Sequence, residues 1–383
     1  MRNLITWLSR RRFPYTPLIT VEVSKSRLLH NLHQFQRVAP HGMVAPVLKS
    51  NAYGHGLMEV AHILEGEKGI PFWIVDSYFE AVALRAKGFK TPLLIIGYSR
   101  PDTIERSRLR DTIFTVTSLD TLRSIENIER HLKIHLKIDT GMHRQGILPQ
   151  DIDTAITMIA SNPLIRLEGI CSHLSDADNI DPSWTEGQIH TWNSIVKKFK
   201  GAFPLIKYVH LSATDGHRFS QEIHANVSRL GIGLYGLVDG DSFKPALDLK
   251  PVLEMKTIIT DIKKIHANDT VGYGNSFKAE KDMTLGLIAA GYFEGIDRRL
   301  SNKGAVLVNH SQVTAPIIGR VSMNITSIDV THISGVKVGT HVTVISHDHT
   351  KPNSIQHMAQ LCNTIPYDIA VHIAPSLKRV IVA

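Results

Sequence analysis

The sequence predicts a (β/α)8 TIM-type barrel followed by a mostly β C-terminal domain, and three observations carry that prediction. Between about residues 40 and 240, short apolar β-rich runs alternate with helix-like stretches, as a barrel of strand–helix repeats requires. Those runs are continuous rather than alternating in polarity, as in parallel strands covered on both faces. After about residue 248 the texture changes to strand-like segments separated by Gly, Pro, Asn and Asp. A doubly wound sheet is the alternative for the first part. The expected boundaries are 1–16 for an N-terminal extension, 17–248 for the barrel and 249–383 for the β domain.

The candidate barrel strands, in order, are MVAPVLK (43–49), FWIVDS (72–77), LLIIGY (93–98), IFTVTS (113–118), KIHLKIDT (133–140), LEGICSHL (167–174), YVHLSAT (208–214) and SRLGIGLYG (228–236). Stretches such as LMEVAHILEGEKG and TEGQIHTWNSIVKKFKG read as helices between them. In the second part VLEMKTIITDIKKI, TLGLIAAGY, GAVLVN, VTAPIIGRVSMNITSIDV and HVTVISH read as strands, and only HMAQLCNTI (357–365) reads as a helix. The early run LITVEV (18–23) precedes the helical SKSRLLHNLHQFQRV and is a candidate to pair with the β domain.

Composition narrows the function classes. The 383 residues are 43% hydrophobic and 20% charged, an ordinary globular balance for two or three domains. With 43 Lys and Arg against 35 Asp and Glu, the net charge is +8. Nucleic-acid binding would need that charge gathered into one stripe, and the densest run is only Arg10, Arg11 and Arg12. A diffuse positive field instead suits anionic substrates or cofactors. The two cysteines, Cys171 and Cys362, stand far apart in no metal or redox spacing, so neither a disulfide framework nor a metal site is expected. The N-terminus has neither the longer apolar region nor the small-residue site of a secretory signal, and no stretch approaches the roughly 20 apolar residues of a membrane span. The expected location is the cytoplasm.

The strongest local signal is VLKSNAYGHG (47–56). A lysine closing the first barrel strand points to the face where barrel active sites are built. Following an apolar run, Lys49 is expected to be desolvated and suited to Schiff-base chemistry.

This segment resembles the cofactor-lysine motif of the alanine racemase family, and the likeness runs from about residue 17 to 380. HLKIDTGMHRQG (135–146), EGICSHL (168–174), SRLGIGLYG (228–236), VGYGNSF (271–277), GYFEG (291–295), IGRVSMN (318–324) and IPYD (365–368) match in order. The resemblance implies a homodimer that binds pyridoxal 5′-phosphate and racemises a small amino acid, with L- and D-alanine the expected pair, feeding cell-wall precursor synthesis. It implies that Lys49 holds the cofactor and works on one face of the substrate, while Tyr273 of the other subunit works on the opposite face. Racemisation needs two such groups, because a proton removed from one face is replaced on the other.

By the same resemblance, Arg229 donates to the pyridine nitrogen, and His173 links Tyr273 to Arg229. A guanidinium can only donate, which leaves that nitrogen unprotonated and restrains the ring as an electron sink. The phosphate is expected on the backbone of Gly231 and Ile232 and the hydroxyls of Tyr53, Thr214 and Tyr367. Arg144 resembles the residue that holds the cofactor's phenolic oxygen and the substrate carboxylate. Lys137 resembles a lysine carbamylated in many relatives, Met323 of the partner subunit offers its backbone N–H, and Tyr292 lines the entrance.

Three departures from the family pattern stand out. Asn324 replaces the usual aspartate, Ala213 and Thr214 replace Asn-Ser, and His143, Phe293 and Glu294 replace smaller or shorter residues. They bear on substrate preference, leaving a serine, lysine or broader racemase as the main rival. A barrel decarboxylase would carry a carboxylate where Arg229 stands, and a single-barrel cofactor carrier would lack the β domain.

Overall fold

The computed structural model describes residues 15–39, 43–238, 247–309 and 313–383. It divides into two compact units: Ser24–Val252 forms one, and the first strand with Leu253–Val382 forms the other. The three arginines and most of the expected 1–16 extension lie outside the described residues.

The first unit is the expected barrel. Its strands are β2 (Val44–Pro46), β3 (Trp73–Val75), β4 (Leu93–Ile95), β5 (Thr112–Val116), β6 (Leu132–Lys137), β7 (Ile165–Cys171), β8 (Tyr208–His210) and β9 (Ser228–Leu230). Strands β3 to β8 pair in parallel in chain order, and β9 pairs in parallel with β2. The ring closes through the Val47–Ile74 bridge on one side. On the other, Asn226 and Arg229 donate their amides to Val209 and Ser212 at 3.0 and 3.2 Å. The strands β3, β4 and β5 are buried at every residue, and β3 and β4 accordingly run apolar without alternation. Ala45, Val47, Phe72, Ile74, Leu94, Ile113 and Val227 pack into one cluster.

Helices follow most strands and begin where the sequence supplies a cap. Ser24 caps α1 (Lys25–Val38), accepting from Arg27 N–H, and Ser77 with Glu80 forms a reciprocal capping box. TEGQIHTWNSIVKKFKG lies within a longer helix, Ser183–Ala202, whose buried face includes Ile189, Trp192, Val196 and Phe199. Several strands are shorter than their apolar runs. SRLGIGLYG is strand only at β9, after which Ile232–Tyr235 turns as a 3-10 helix. The run MVAPVLK leaves the sheet before Lys49.

The second unit is built on a bent, 13-residue strand, β10 (Leu253–Ile265), paired with three others. These are β1 (Thr20–Ser24), β13 (Met283–Ile288) and β14 (His341–Ile345), all antiparallel. The early strand therefore does pair with the β unit. The short pair β11 (Thr270–Val271) and β12 (Phe277–Lys278) brackets the turn that holds Tyr273. The expectation of one helix in this part is corrected. Ile355–Leu361 is followed by a second helix, Pro366–Val371, with proline at its start. Proline is well placed at a helix's first turn, where no intrahelical donor is needed. Cys171 and Cys362 are both free and buried. Among the described residues no helix is long and apolar enough to cross a membrane.

Candidate active site

Lys49 opens a short left-handed turn. Ser50, Asn51, Ala52 and Tyr53 all have φ between 52° and 57°, a conformation that costs an L-residue about 1–2 kcal/mol each. The turn is held by its surroundings. Ser50 N–H donates to Glu80 Oε1 at 2.7 Å, and Asn51 Oδ1 accepts from Leu57 N–H at 2.9 Å. The Tyr53 ring lies 5.2 Å from that of Tyr235, whose hydroxyl donates to Val47 O at 2.8 Å. Local strain maintained by several independent contacts is characteristic of functional sites.

Beside Lys49 lies a barrel cavity of about 140 Å³. Lys49, Lys137, Arg144 and Arg229 line it together with Tyr53, Cys171, His173, Ala213 and Gly231, and no carboxylate is among the lining residues. Four cationic side chains around one space, without an acid, define a receptor for an anionic ligand. Burial pulls the Lys137 ammonium down to about 8, with Arg229 and Arg144 acting in the same direction. Burial also pushes the Tyr53 hydroxyl up to about 12, so it stays protonated as a donor.

Arg229 is buried without an acidic partner among the described residues. Nη2 donates to His173 Nδ1 at 2.9 Å and to Leu211 O at 2.7 Å. Nη1 donates to His210 Nδ1 at 3.0 Å. Burial lowers the guanidinium from its ordinary value. Burial, then the positive Arg229, holds His173 and His210 well below the usual imidazole range. Both rings are therefore neutral at physiological pH, and the remaining proton of each sits on Nε2.

The chain continues inward. His210 Nε2 lies 2.9 Å from His135 Nδ1, and burial takes His135 down to about 3. The ring fits because Gly169 pairs with His135 across β6 and β7; a Cβ there would lie 2.7 Å from His135 Nε2. His135 and His210 were absent from the sequence-based site. The usable signal was period two in β6, which turns His135 and Lys137 to the same side.

Of the residues expected at a phosphate, Tyr53, Thr214, Gly231 and Ile232 lie in the barrel unit. A Cβ on Gly231 would lie 2.9 Å from Tyr53 Oη, so only glycine fits against that hydroxyl. Gly233 N–H donates to Thr214 Oγ1 at 3.2 Å, and Ile232 opens the intervening 3-10 turn. His143, at φ 52°, sits 3.6 Å from the Asp139 carboxylate. Tyr273, Tyr292, Met323 and Tyr367 belong to the β unit. Tyr273 is 69% exposed between Gly272 and Gly274, both at positive φ. Tyr292 N–H donates to Ser322 O at 3.0 Å and Phe293 N–H to Met323 O at 2.9 Å, so Tyr292 and the turn of Met323 are tied together. Tyr367 stands in the first turn of Pro366–Val371.

A parallel barrel with a lysine at the end of its first strand, an arginine buried between histidines and an appended β unit defines an amino-acid isomerase of the barrel type. The family model described as alanine racemase, N-terminal domain, matches residues 23–239, and that described as alanine racemase, C-terminal domain, matches residues 252–381. The alanine racemase of Methanococcus maripaludis is 34% identical over 370 residues, covering 94% of this chain and 98% of the relative. The solved alanine racemase of Clostridium difficile superposes with a TM-score of 0.89 at 27% identity, covering 96% of this chain and 97% of the other. A histidine racemase from Leuconostoc mesenteroides superposes with a TM-score of 0.86 at 26% identity, covering 97% and 99%. The chain belongs to the alanine racemase family, and it is an amino-acid racemase, an isomerase.

Proposed function

We propose that this protein racemises alanine with pyridoxal 5′-phosphate, as a homodimer in the cytoplasm, supplying D-alanine for cell-wall precursors. The observation that carries the reading is the cavity of four cations and no acid, entered by Lys49. Its donor set fits the cofactor. A phosphate would take the donors at Tyr53, Thr214, Gly231 and Ile232, and a neutral pyridine nitrogen would take a donor from Arg229, which can only donate. Bound there, the cofactor would act as an electron sink that eases loss of the substrate's α-proton.

The chain's own groups do the rest. Lys49 holds the cofactor and moves the proton at one face, and Tyr273 moves it at the other. Arg144 and the Met323 N–H orient the substrate carboxylate, with Lys137 beside Arg144 in the cavity wall. His173, neutral and fixed by Arg229, keeps its Nε2–H free to donate. Tyr273 and Met323, at 69% and 55% exposure, suit groups offered to a second subunit. Tyr292, Phe293 and Ile325, also exposed, lie in or beside the same pair of turns. A large apolar cluster on a surface is a common mark of an interface.

Breadth of substrate is the second reading, favoured by Ala213 in the cavity wall where the family pattern has the larger asparagine. Decarboxylation is disfavoured by the absence of a lining carboxylate. The deciding experiment is chiral chromatography of a panel of L-amino acids incubated with purified protein and pyridoxal phosphate. D-alanine as the dominant product supports the proposal. D-serine, D-lysine or D-histidine dominating replaces the substrate, and no D-product from cofactor-loaded protein refutes the activity.

A further inference from the structure

Two turns of the β unit approach each other closely at the sequence's last two departures, Glu294 and Asn324. A Cβ on Gly291 would lie 2.2 Å from Ser322 O and 2.4 Å from Met323 O, so the chain needs glycine to bring 291–295 against 322–325. Glu294 closes the pair. Its side chain is 8% exposed; Oε2 accepts from Gly291 N–H at 2.9 Å and Oε1 accepts from Asn324 Nδ2 at 2.7 Å. No cation pairs with this carboxyl group among the described residues, so its oxygens are held by those two donors. The second donor is the Asn324 amide. An aspartate at 324 would set two carboxylates at hydrogen-bond distance, where like charges disfavour joint ionisation.

Met323 stands immediately before this amide. Its carbonyl is fixed by Phe293 N–H, and its own N–H has no hydrogen-bond partner among the described residues. We propose that Glu294 is a positioning residue for the substrate-carboxylate edge of the site, acting with Asn324 as one interdependent pair that fixes the Met323 N–H and Tyr292. The proposal rests on the racemase reading for what Met323 binds, and on the hydrogen bonds above for the pair itself. It follows that the side chain beside the Met323 N–H is a neutral amide, and a carboxylate arriving there meets no second carboxylate in addition to that of Glu294.

The test uses the full-length enzyme loaded with pyridoxal phosphate, as Asn324→Asp and as Glu294→Gln/Asn324→Asp. Glutamine at 294 can accept from Gly291 and donate to the carboxylate introduced at 324, so the double variant restores the pair with its polarity reversed. Asn324→Asp should raise KM for alanine roughly tenfold, keep kcat within about threefold, and lower the melting temperature; the double variant should recover the melting temperature and at least part of the KM loss. Wild-type KM and melting temperature in Asn324→Asp would overturn the proposal, as would a fall in kcat at unchanged KM or a double variant as impaired as the single one. The melting temperatures need no turnover. If the wild type binds cofactor and racemises nothing, the racemase reading and the substrate role of Glu294 both fail, while rescue of melting still decides whether the two side chains are interdependent.

Discussion

Arg229 and His210 fix a direction along a chain of buried rings. The guanidinium donates to His210 Nδ1 at 3.0 Å, which leaves His210 its proton on Nε2 to donate to His135 Nδ1 at 2.9 Å. His135 must then carry its own proton on Nε2, where no partner is found. Because Arg229 also donates to His173 Nδ1, one permanently charged group sets three tautomers. Nitrogen-15 NMR of histidine-labelled protein should show His173 and His210 as neutral Nε2–H rings, unchanged from about pH 6 to 8. An imidazole of either residue protonating within that range would contradict the assignment.

These same rings make stability depend on acid. Each has a folded pKa below the unfolded value of about 6.5, with His135 at about 3. Their contribution is complete above about pH 6.5 and is lost as the unfolded chain takes up protons on the way down towards pH 3. His135→Leu leaves His210 Nε2–H buried without an acceptor, a loss of about 1–3 kcal/mol at pH 7. The variant should nevertheless lose stability less steeply than wild type between pH 6.5 and 4, because one masked proton site is gone. Urea midpoints at several pH values test this; parallel pH slopes for the two proteins would refute it.

The two catalytic assignments separate by spectrum and rate. Lys49→Ala should lose both racemisation and the visible absorbance of the protein-bound cofactor. Tyr273→Phe should keep that absorbance and lose about 10²-fold or more in kcat, the usual scale of a lost general acid or base. Full activity in Tyr273→Phe would remove the second base, and a fully active monomer in sedimentation would contradict its supply by another subunit.

Lys137 offers a test linked to its depressed pKa of about 8. Only the neutral amine reacts with carbon dioxide, so a carbamate on Lys137 becomes more accessible as pH rises through 8. Carbon-13 NMR of protein equilibrated with labelled bicarbonate should show a bound carbamate carbon that grows over that range and is absent from Lys137→Ala. An identical signal in the variant would place the carbamate elsewhere.

Much of this architecture was legible because burial writes itself into composition. Strands such as β4, buried at all three positions, are apolar throughout, and Lys49 stood out as a cation closing such a run. The histidine chain was illegible for a different reason. His135 and His210 sit on strands far apart in sequence, and the pairing of β6 with β7 and of β7 with β8 brings the His135 ring into the space above Gly169. The Glu294–Asn324 contact joins residues 30 apart through two irregular turns, where no periodicity reports proximity. The second helix of the β unit was illegible because Pro366–Val371 is six residues long, too short for a helical period to show.

The left-handed turn after Lys49 depends on Glu80. Its Oε1 accepts from Ser50 N–H at 2.7 Å, while Oε2 accepts from Asp76 and Ser77 N–H at 2.8 and 3.2 Å. One carboxylate thus starts the helix Tyr78–Ala86 and restrains four residues at positive φ. Glu80→Ala removes all three acceptor contacts, and the expected cost is about 1–3 kcal/mol, within the range for a lost cap and charged hydrogen bonds. Because Ser50 is freed next to Lys49, cofactor affinity should fall with stability, whereas Ser77→Ala, which removes the cap alone, should lower stability and leave cofactor affinity near wild type. Fluorescence titration of the apoprotein with pyridoxal phosphate, alongside thermal melts, separates the two. Equal cofactor affinity in Glu80→Ala and wild type would show that the turn holds Lys49 without this carboxylate.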